Sequence, residues 1–194
     1  MKKIIAYLAT SVDGFIARPD GDVAWLDRPR PRGNYGMAEF IRSVDTIVMG
    51  RTTYEVGRKL GQAVWPGKQN IILSRTLVPG SVEGAIIESG NVRDLAQRWR
   101  AEEGGDIWLM GGAVVFGEFL DADALDELII HVVPVLIGDG IPLLDPRRRT
   151  NELKLKSTRK FSDGVVRLHY SIERVATAGI PDSEDQAYSE ARLA

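Results

Sequence analysis

Six short apolar runs, separated by stretches with helical spacing, constrain the fold of this chain more than any other feature. Several runs lack a polar residue at every second position, which is typical of strands covered on both faces. The runs are residues 3–9, 46–50, 70–74, 82–88, 107–110 and 127–136. Helix candidates lie between them, at residues 34–43, 52–59, 91–103 and 113–121. Strands that alternate with helices predict an α/β fold with a mainly parallel central sheet, flanking helices and right-handed crossovers.

The end of the chain has a different pattern. Residues 153–161 and 165–175 alternate between apolar and polar positions, and the turn sequence "SDG" separates them. This pattern predicts a C-terminal antiparallel hairpin added to the sheet. We therefore expect one domain over residues 1–175. Residues 176–194 are small and polar, and they are expected either to fray or to dock as a short helix.

Charge and composition exclude several classes of function. The 25 Lys and Arg residues nearly balance the 27 Asp and Glu residues, so no overall field would attract nucleic acid or an anionic membrane. The chain has no cysteine, which excludes thiolate nucleophiles and Cys-ligated zinc. The first apolar run is too short for a membrane span or signal core. We expect a cytoplasmic protein with no metal, nucleic-acid or membrane partner.

Three predicted strand ends carry residues suited to anion binding. The first is "GRTT" at residues 50–53, where the free N–H groups of a helix start would meet an arginine and two hydroxyls. The second is Ser74 with Arg75, and the third is Gly111 with Gly112. Each has an ordinary alternative: a threonine cap with a solvated Arg51 for the first, a common loop start for the second, and close helix-to-strand packing for the third. Together they favour one extended phosphate-bearing ligand across the sheet edge.

The order and spacing of these segments resemble a known family. The sequences "GRTTYE", "NIILSR" and "IWLMGGAVVFGEFL", with "SVDGFIA" near the N-terminus, are similar to the dihydrofolate reductase superfamily. They resemble more closely the branch that shares the fold of the reductase domain in riboflavin biosynthesis. The resemblance covers residues 3–174 and implies a dihydrofolate reductase-like fold.

The same resemblance implies NADPH as the cofactor and a cis peptide between the paired glycines beside it. The residues that it assigns to cofactor binding are Ala9, Ile16, Gly50, Arg51, Thr52, Thr53, Ser74, Arg75, Gly111, Gly112, Ala113 and Val114.

Two positions depart from the family pattern. The carboxylate with which dihydrofolate reductases bind substrate falls at Asn34, which carries no charge. A lysine that commonly follows "DG" in the riboflavin branch is replaced by Phe15. We therefore expect a stand-alone reductase-like protein that does not perform dihydrofolate reduction.

Hydride transfer needs a proton source for the atom that gains charge. The candidates are Asp13, Asp27, Glu39 and water, and Asp13 is preferred because it lies closest to the predicted nicotinamide end. Trp25 and Tyr35 could stack on a flat substrate or belong to a lid or the core. The two histidines, His131 and His169, fall inside predicted strands, where packed or hydrogen-bonded imidazoles are expected.

The main hypothesis is an NADPH-dependent oxidoreductase that transfers a hydride to a small, flat, pterin- or pyrimidine-like substrate. The alternative is a nucleotide-binding protein of the same fold without catalytic turnover. A homodimer is a further expectation, since two-fold pairs are common among small enzymes.

Overall fold

The computed structural model describes residues 1–29, 31, 34–146 and 150–173. The strands are β1 (Ile4–Ser11), β2 (Phe15–Ala17), β3 (Val44–Gly50), β4 (Gln69–Leu73), β5 (Gly80–Val82), β6 (Ala85–Glu88), β7 (Asp106–Gly111), β8 (Glu127–Val133), β9 (Ile141–Pro142), β10 (Glu152–Lys160) and β11 (Val166–Glu173). The helices are α1 (Met37–Ser43), α2 (Arg51–Lys59), α3 (Val92–Ala101) and α4 (Ala113–Asp121). The predicted tail, residues 176–194, lies outside the described residues.

The described strands form one large sheet and one small one. The large sheet has the order β10-β11-β8-β1-β7-β3-β4-β6-β5, and the six strands from β8 to β6 are mutually parallel. β11 is antiparallel to β8, and β10 is antiparallel to β11. The mainly parallel sheet and the C-terminal hairpin are therefore confirmed. In the part of the chain that is described, no helix is long and apolar enough to cross a membrane.

Helices cover both faces of the parallel strands. On one face, Ile4 and Leu109 belong to a buried cluster that includes Trp99 of α3 and Phe119 of α4. On the other face, Tyr7, Met49 and Trp108 pack with Phe40 of α1 and Tyr54 of α2. Burial on both faces explains why these strands lack polar residues at alternate positions.

Two predicted elements differ from the structure. The run at 82–88 is not one strand, because β5 and β6 form an antiparallel hairpin around Glu83 and Gly84. Both turn residues have positive φ, 44° and 81°, as a two-residue hairpin turn of this kind requires. The helix predicted from residue 34 begins at Met37, after a 3-10 turn over Asn34–Gly36.

A buried carboxylate ties the C-terminal hairpin to the parallel strands. Glu127 in β8 is 7% exposed and accepts hydrogen bonds from Lys3 Nζ (2.8 Å), Lys156 Nζ (2.7 Å) and His169 Nε2 (2.7 Å). Burial by itself would raise the pKa of Glu127, but the bonds from Lys156, Lys3 and His169 outweigh it and lower the pKa to about 2. The ionised form of Glu127 therefore stabilises the native state.

We expect Glu127→Gln to lower the free energy of unfolding at pH 7 by about 2 kcal/mol. The folded pKa lies below the ordinary value of 4.5, so this stabilisation is present above pH 4.5 and is lost as the pH falls toward about 2. Urea unfolding at pH 7 and at about pH 3 measures the effect, and the variant should approach the wild type at the lower pH. Glu152→Gln, at the exposed end of β10, is the control and should change little. A deficit that stays constant with pH would contradict the assignment.

Candidate cofactor and substrate cleft

A cleft of about 990 Å³ lies along the carboxyl ends of the parallel strands. Its lining includes the last residues of β3, β6 and β7 and the two residues that follow β4. In open α/β sheets, ligands bind in the crevice beyond these strand ends. Its volume is at the upper end of the range for small-molecule sites, about 300–1,000 Å³.

Two helices begin at this cleft without a side-chain cap. α2 follows Gly50 and α4 follows Gly112, and neither glycine can cap the free N–H groups of the first turn. The start of α3 also lies at the cleft, which Gly90 and Val92 line, but there the Asn91 side chain accepts hydrogen bonds from Arg93 N (2.9 Å) and Asp94 N (3.4 Å). The first turns of α2 and α4 are thus suited to an anion that the cleft could admit.

The glycines allow the two helix starts to approach each other. A Cβ atom on Gly50 would lie 2.9 Å from Val115 Cγ2 in α4, and one on Gly112 would lie 3.3 Å from Thr53 Oγ1 in α2. Gly111 has a φ of 116°, a conformation that favours glycine, and its peptide bond to Gly112 is cis, as predicted. Side chains at these positions would fill the space between the helix starts.

Charged pairs lie at the end of the cleft next to β4 and β6. Arg75 pairs with Glu118 of α4, and its side chain is 81% exposed. Glu88 at the end of β6 pairs with Arg98 of α3. The Ser74 hydroxyl accepts a hydrogen bond from Leu77 N at 3.0 Å, which fixes the loop that carries Arg75. We call this region the phosphate end.

The opposite end of the cleft is mainly aromatic, and the described residues that line it include no carboxylate. Tyr7 and His131 are each 5% exposed, and Tyr7 Oη lies 3.4 Å from His131 Nε2. The Tyr7 ring stacks on Phe40 with a centroid separation of 4.3 Å, and Trp108 Nε1 donates to the Tyr7 carbonyl at 2.9 Å. Tyr35 also lines this region. We call it the substrate end.

Burial shifts the pKa of both buried groups toward their neutral forms. It raises the pKa of Tyr7 to about 12 and lowers the pKa of His131 to about 4. The positive charge of Arg167 acts on both and lowers both pKa values, whereas Glu39 raises the pKa of Tyr7. Near pH 7, Tyr7 therefore keeps its proton and His131 is uncharged.

Every residue that the sequence assigned to cofactor binding lines this cleft, and so does Asn34. The fold brings the ends of β3, β4 and β7 together at one cleft, as the sequence predicted. Their part in binding stays a prediction.

The preferred proton donor, Asp13, is placed elsewhere. It is absent from the described lining of the cleft, and its carboxylate accepts hydrogen bonds from Ile137 N (3.1 Å) and Gly138 N (2.7 Å). A hydrogen bond from Ser11 and these backbone bonds lower the pKa of Asp13. The exposed, ionised carboxylate holds a loop and lies away from the substrate end. Asp27 and Glu39 are also exposed and outside the described lining.

Tyr7 and His131 were missed as candidates because both lie inside apolar strands. The spacing of Tyr7 and Ala9, two residues apart on one strand, already places them on the same face. That His131 lies beside Ala9 follows only from the register of β1 and β8, which pairs the two residues. Trp25 and Tyr35 both pack against the cluster of Val133, Phe161 and Val165, and of the two Tyr35 is among the described residues that line the cleft.

Comparison with known proteins places the chain in one family. The model of the RibD C-terminal domain matches residues 2–167. Two uncharacterized proteins of Bacillus subtilis strain 168 are similar over most of their length. YwjB is 37% identical over 171 residues, covering 87% of this chain and 97% of that protein. YyaP is 31% identical over 183 residues, covering 87% of this chain and 94% of that protein.

Solved structures show the same fold. A protein from Shewanella sp. PV-4 named for riboflavin biosynthesis is 27% identical with a TM-score of 0.79, and the match covers 89% of this chain and 99% of that chain. Dihydrofolate reductase from Enterococcus faecalis complexed with NADP(H) is 18% identical with a TM-score of 0.65, over 89% of this chain and 97% of that chain. This second likeness concerns the fold alone.

The close approach of the helix starts can be tested with Gly50→Ala. Because the new Cβ would meet Val115 Cγ2, we expect a loss of about 1 to 3 kcal/mol in the free energy of unfolding. Urea unfolding measures the loss, and Val115→Ala provides the matched background. If the contact is responsible, Gly50→Ala should cost clearly less in the Val115→Ala protein. Equal costs in both backgrounds would refute this explanation.

Proposed function

The chain belongs to the RibD C-terminal domain family, and on that premise we propose that it is an NADPH-dependent reductase of a small, flat, pterin- or pyrimidine-like heterocycle. The observation that carries the proposal is the cleft. Two uncapped helix starts and the exposed Arg75 lie at one end, and an aromatic floor without a described carboxylate lies at the other. One end suits phosphates, and the other suits a planar ring.

The residues at the phosphate end fit a dinucleotide. The first-turn N–H groups of α2 and α4 can donate to phosphate oxygens, and the helix dipoles favour negative charge there. Arg75 can reach a further phosphate because its side chain is exposed and can leave Glu118. NADPH would supply the hydride when bound. Ala9 and Ile16, which line the cleft beside Tyr7, are proposed to lie along its nicotinamide ring.

The substrate end favours a neutral ring over a cationic one. Among the described residues of the cleft lining, the carboxylates are Glu88 and Glu118, and both pair with arginines at the phosphate end. Asn34 offers an amide at the substrate end, and Trp65 and Trp108 offer flat apolar surface. A protonated pterin would find no counter-charge there, which argues against dihydrofolate.

The first experiment is a pair of titrations with NADPH and NADH, followed by the fluorescence of the four tryptophans. Binding with a preference for NADPH supports the proposal and leads to a screen of pyrimidines, lumazines and pterins for oxidation of the bound cofactor. Binding with no oxidation by any compound of the panel favours the alternative of a nucleotide-binding protein without turnover. A protein that binds neither nucleotide is not a reductase of this kind.

Arg75→Ala tests the proposed contact with the 2′-phosphate of NADPH. We expect the Kd for NADPH to rise about tenfold. This is the lower end of the effect of losing a charged hydrogen bond, and it is chosen because solvent screens the exposed Arg75. The Kd for NADH should change less than about twofold, since NADH lacks that phosphate. Fluorescence titration of both nucleotides measures the two constants.

Arg93→Ala is the matched control for this substitution. Arg93 is an exposed arginine of α3 that pairs with Asp123 and is absent from the described cleft lining. Its removal should leave both constants unchanged. If Arg75→Ala weakens NADPH and NADH equally, Arg75 does not recognise the 2′-phosphate.

A further inference from the structure

We infer that the Tyr7 hydroxyl is the proton donor of the reaction and that His131 positions it. This inference rests on the proposed reductase function. It names the residue that would complete hydride transfer, at the substrate end of the same cleft.

The strand register places Tyr7 and His131 around Ala9. β1 and β8 are parallel, and Ala9 pairs directly with His131. Tyr7 lies two residues before Ala9 on β1, so both side chains leave the same face of the sheet. All three line the cleft. Because Ala9 is proposed to lie along the nicotinamide ring, the Tyr7 hydroxyl lies beside the place where a substrate would receive the hydride.

Among the described residues, the Tyr7 hydroxyl has only long contacts. Its oxygen is 3.4 Å from His131 Nε2 and 3.5 Å from the Tyr35 carbonyl oxygen. Contacts at these distances compensate poorly for burying a hydroxyl. A substrate atom that enters the cleft can therefore accept the hydroxyl hydrogen without breaking a strong bond.

The other polar groups at this end are less suited to donate a proton. The Tyr35 hydroxyl donates to Asp163 Oδ2 at 2.5 Å, so its hydrogen is engaged. Arg28 Nη2 already donates to the Asp163 carbonyl oxygen at 2.9 Å. Asn34 has no acidic proton. Of the described residues that line the substrate end, Tyr7 is the best placed acid.

The proton balance of the step is complete. The hydride adds to a ring carbon of a C=N bond, the electron pair moves to the nitrogen, and the nitrogen takes the proton of Tyr7. The product is the CH–NH form, and the phenolate of Tyr7 regains a proton from solvent. Arg167, which pairs with His131 across β8 and β11, carries the positive charge that stabilises the phenolate. Glu39 of α1 opposes it but is exposed.

The test measures single-turnover hydride transfer from bound NADPH to an acceptor from the panel in five variants. Tyr7→Phe removes only the hydroxyl and should slow transfer about 100-fold, within the range for a lost general acid. Its Kd for NADPH should stay within about twofold of the wild type, which also shows that the variant folds. Imidazolium buffer should partly restore the rate of Tyr7→Phe and leave the wild-type rate unchanged.

Tyr54→Phe and Asp13→Asn are the matched controls. Tyr54 is buried in the same core cluster, but its hydroxyl contacts Glu83 and lies outside the described cleft lining. Asp13→Asn keeps an oxygen that can accept the N–H groups of Ile137 and Gly138 while removing the acid. Both variants should transfer hydride at nearly the wild-type rate.

His131 is tested as a positioning residue by two substitutions. His131→Leu should slow transfer about tenfold with little change in the Kd for NADPH. His131→Gln, whose amide can donate to or accept from Tyr7 Oη, should recover most of the rate. If His131 served only to pack the core, His131→Leu and His131→Gln would transfer hydride at the same rate.

The outcomes separate this inference from the proposed function. If the wild type oxidises NADPH with an acceptor and Tyr7→Phe does so equally fast, the inference is wrong and the reductase function stands. If Asp13→Asn slows hydride transfer and Tyr7→Phe does not, Asp13 is the proton donor. If Tyr7→Phe does not fold, 3-fluorotyrosine at position 7 keeps the packing, and its more acidic phenol should move the high-pH limit of the rate downward. If the wild type reduces nothing, both proposals fail together.

Discussion

Burial of the parallel strands on both faces is the constraint on which the site depends. Ala6, Ile47 and Ile71 are fully buried inside their strands, where a polar group would be left without a partner. The residues suited to anion binding lie instead at the strand ends, where loops and helix starts begin. In a parallel sheet these ends share one edge, so the same packing that stabilises the core also gathers Gly50, Ser74 and Gly111 into one cleft.

The two ends of the cleft differ in charge because different elements build them. At the phosphate end, the helices α2 and α4 begin at the cleft without a side-chain cap, and Arg75 adds a positive charge. At the substrate end, β1, β7 and β8 contribute buried aromatic and imidazole side chains whose burial favours the neutral state. A ligand with an anionic tail and a flat neutral reacting partner matches this division.

The C-terminal hairpin also serves the site, although it lies at the far side of the sheet. β11 adds to β8 and places Arg167 beside His131, and the loop before β11 places Asp163 against Tyr35. The bonds of Glu127 to Lys156 and His169 hold the hairpin in that register. A slip by one residue would send every hairpin side chain to the opposite face.

The sequence alone determined the fold class and which residues line the phosphate end of the cleft. Apolar runs without alternation predict strands covered on both faces, and motifs such as "GRTT" and Gly111–Gly112 are local, since their chemistry comes from consecutive residues. The tertiary structure decided the substrate end. Tyr7 and His131 are 124 residues apart, and only the pairing of β1 with β8 brings them within 3.4 Å. The tertiary structure also decided the role of Asp13. Its carboxylate holds the loop at Ile137 and Gly138, whose N–H groups are 124 and 125 residues away in the chain.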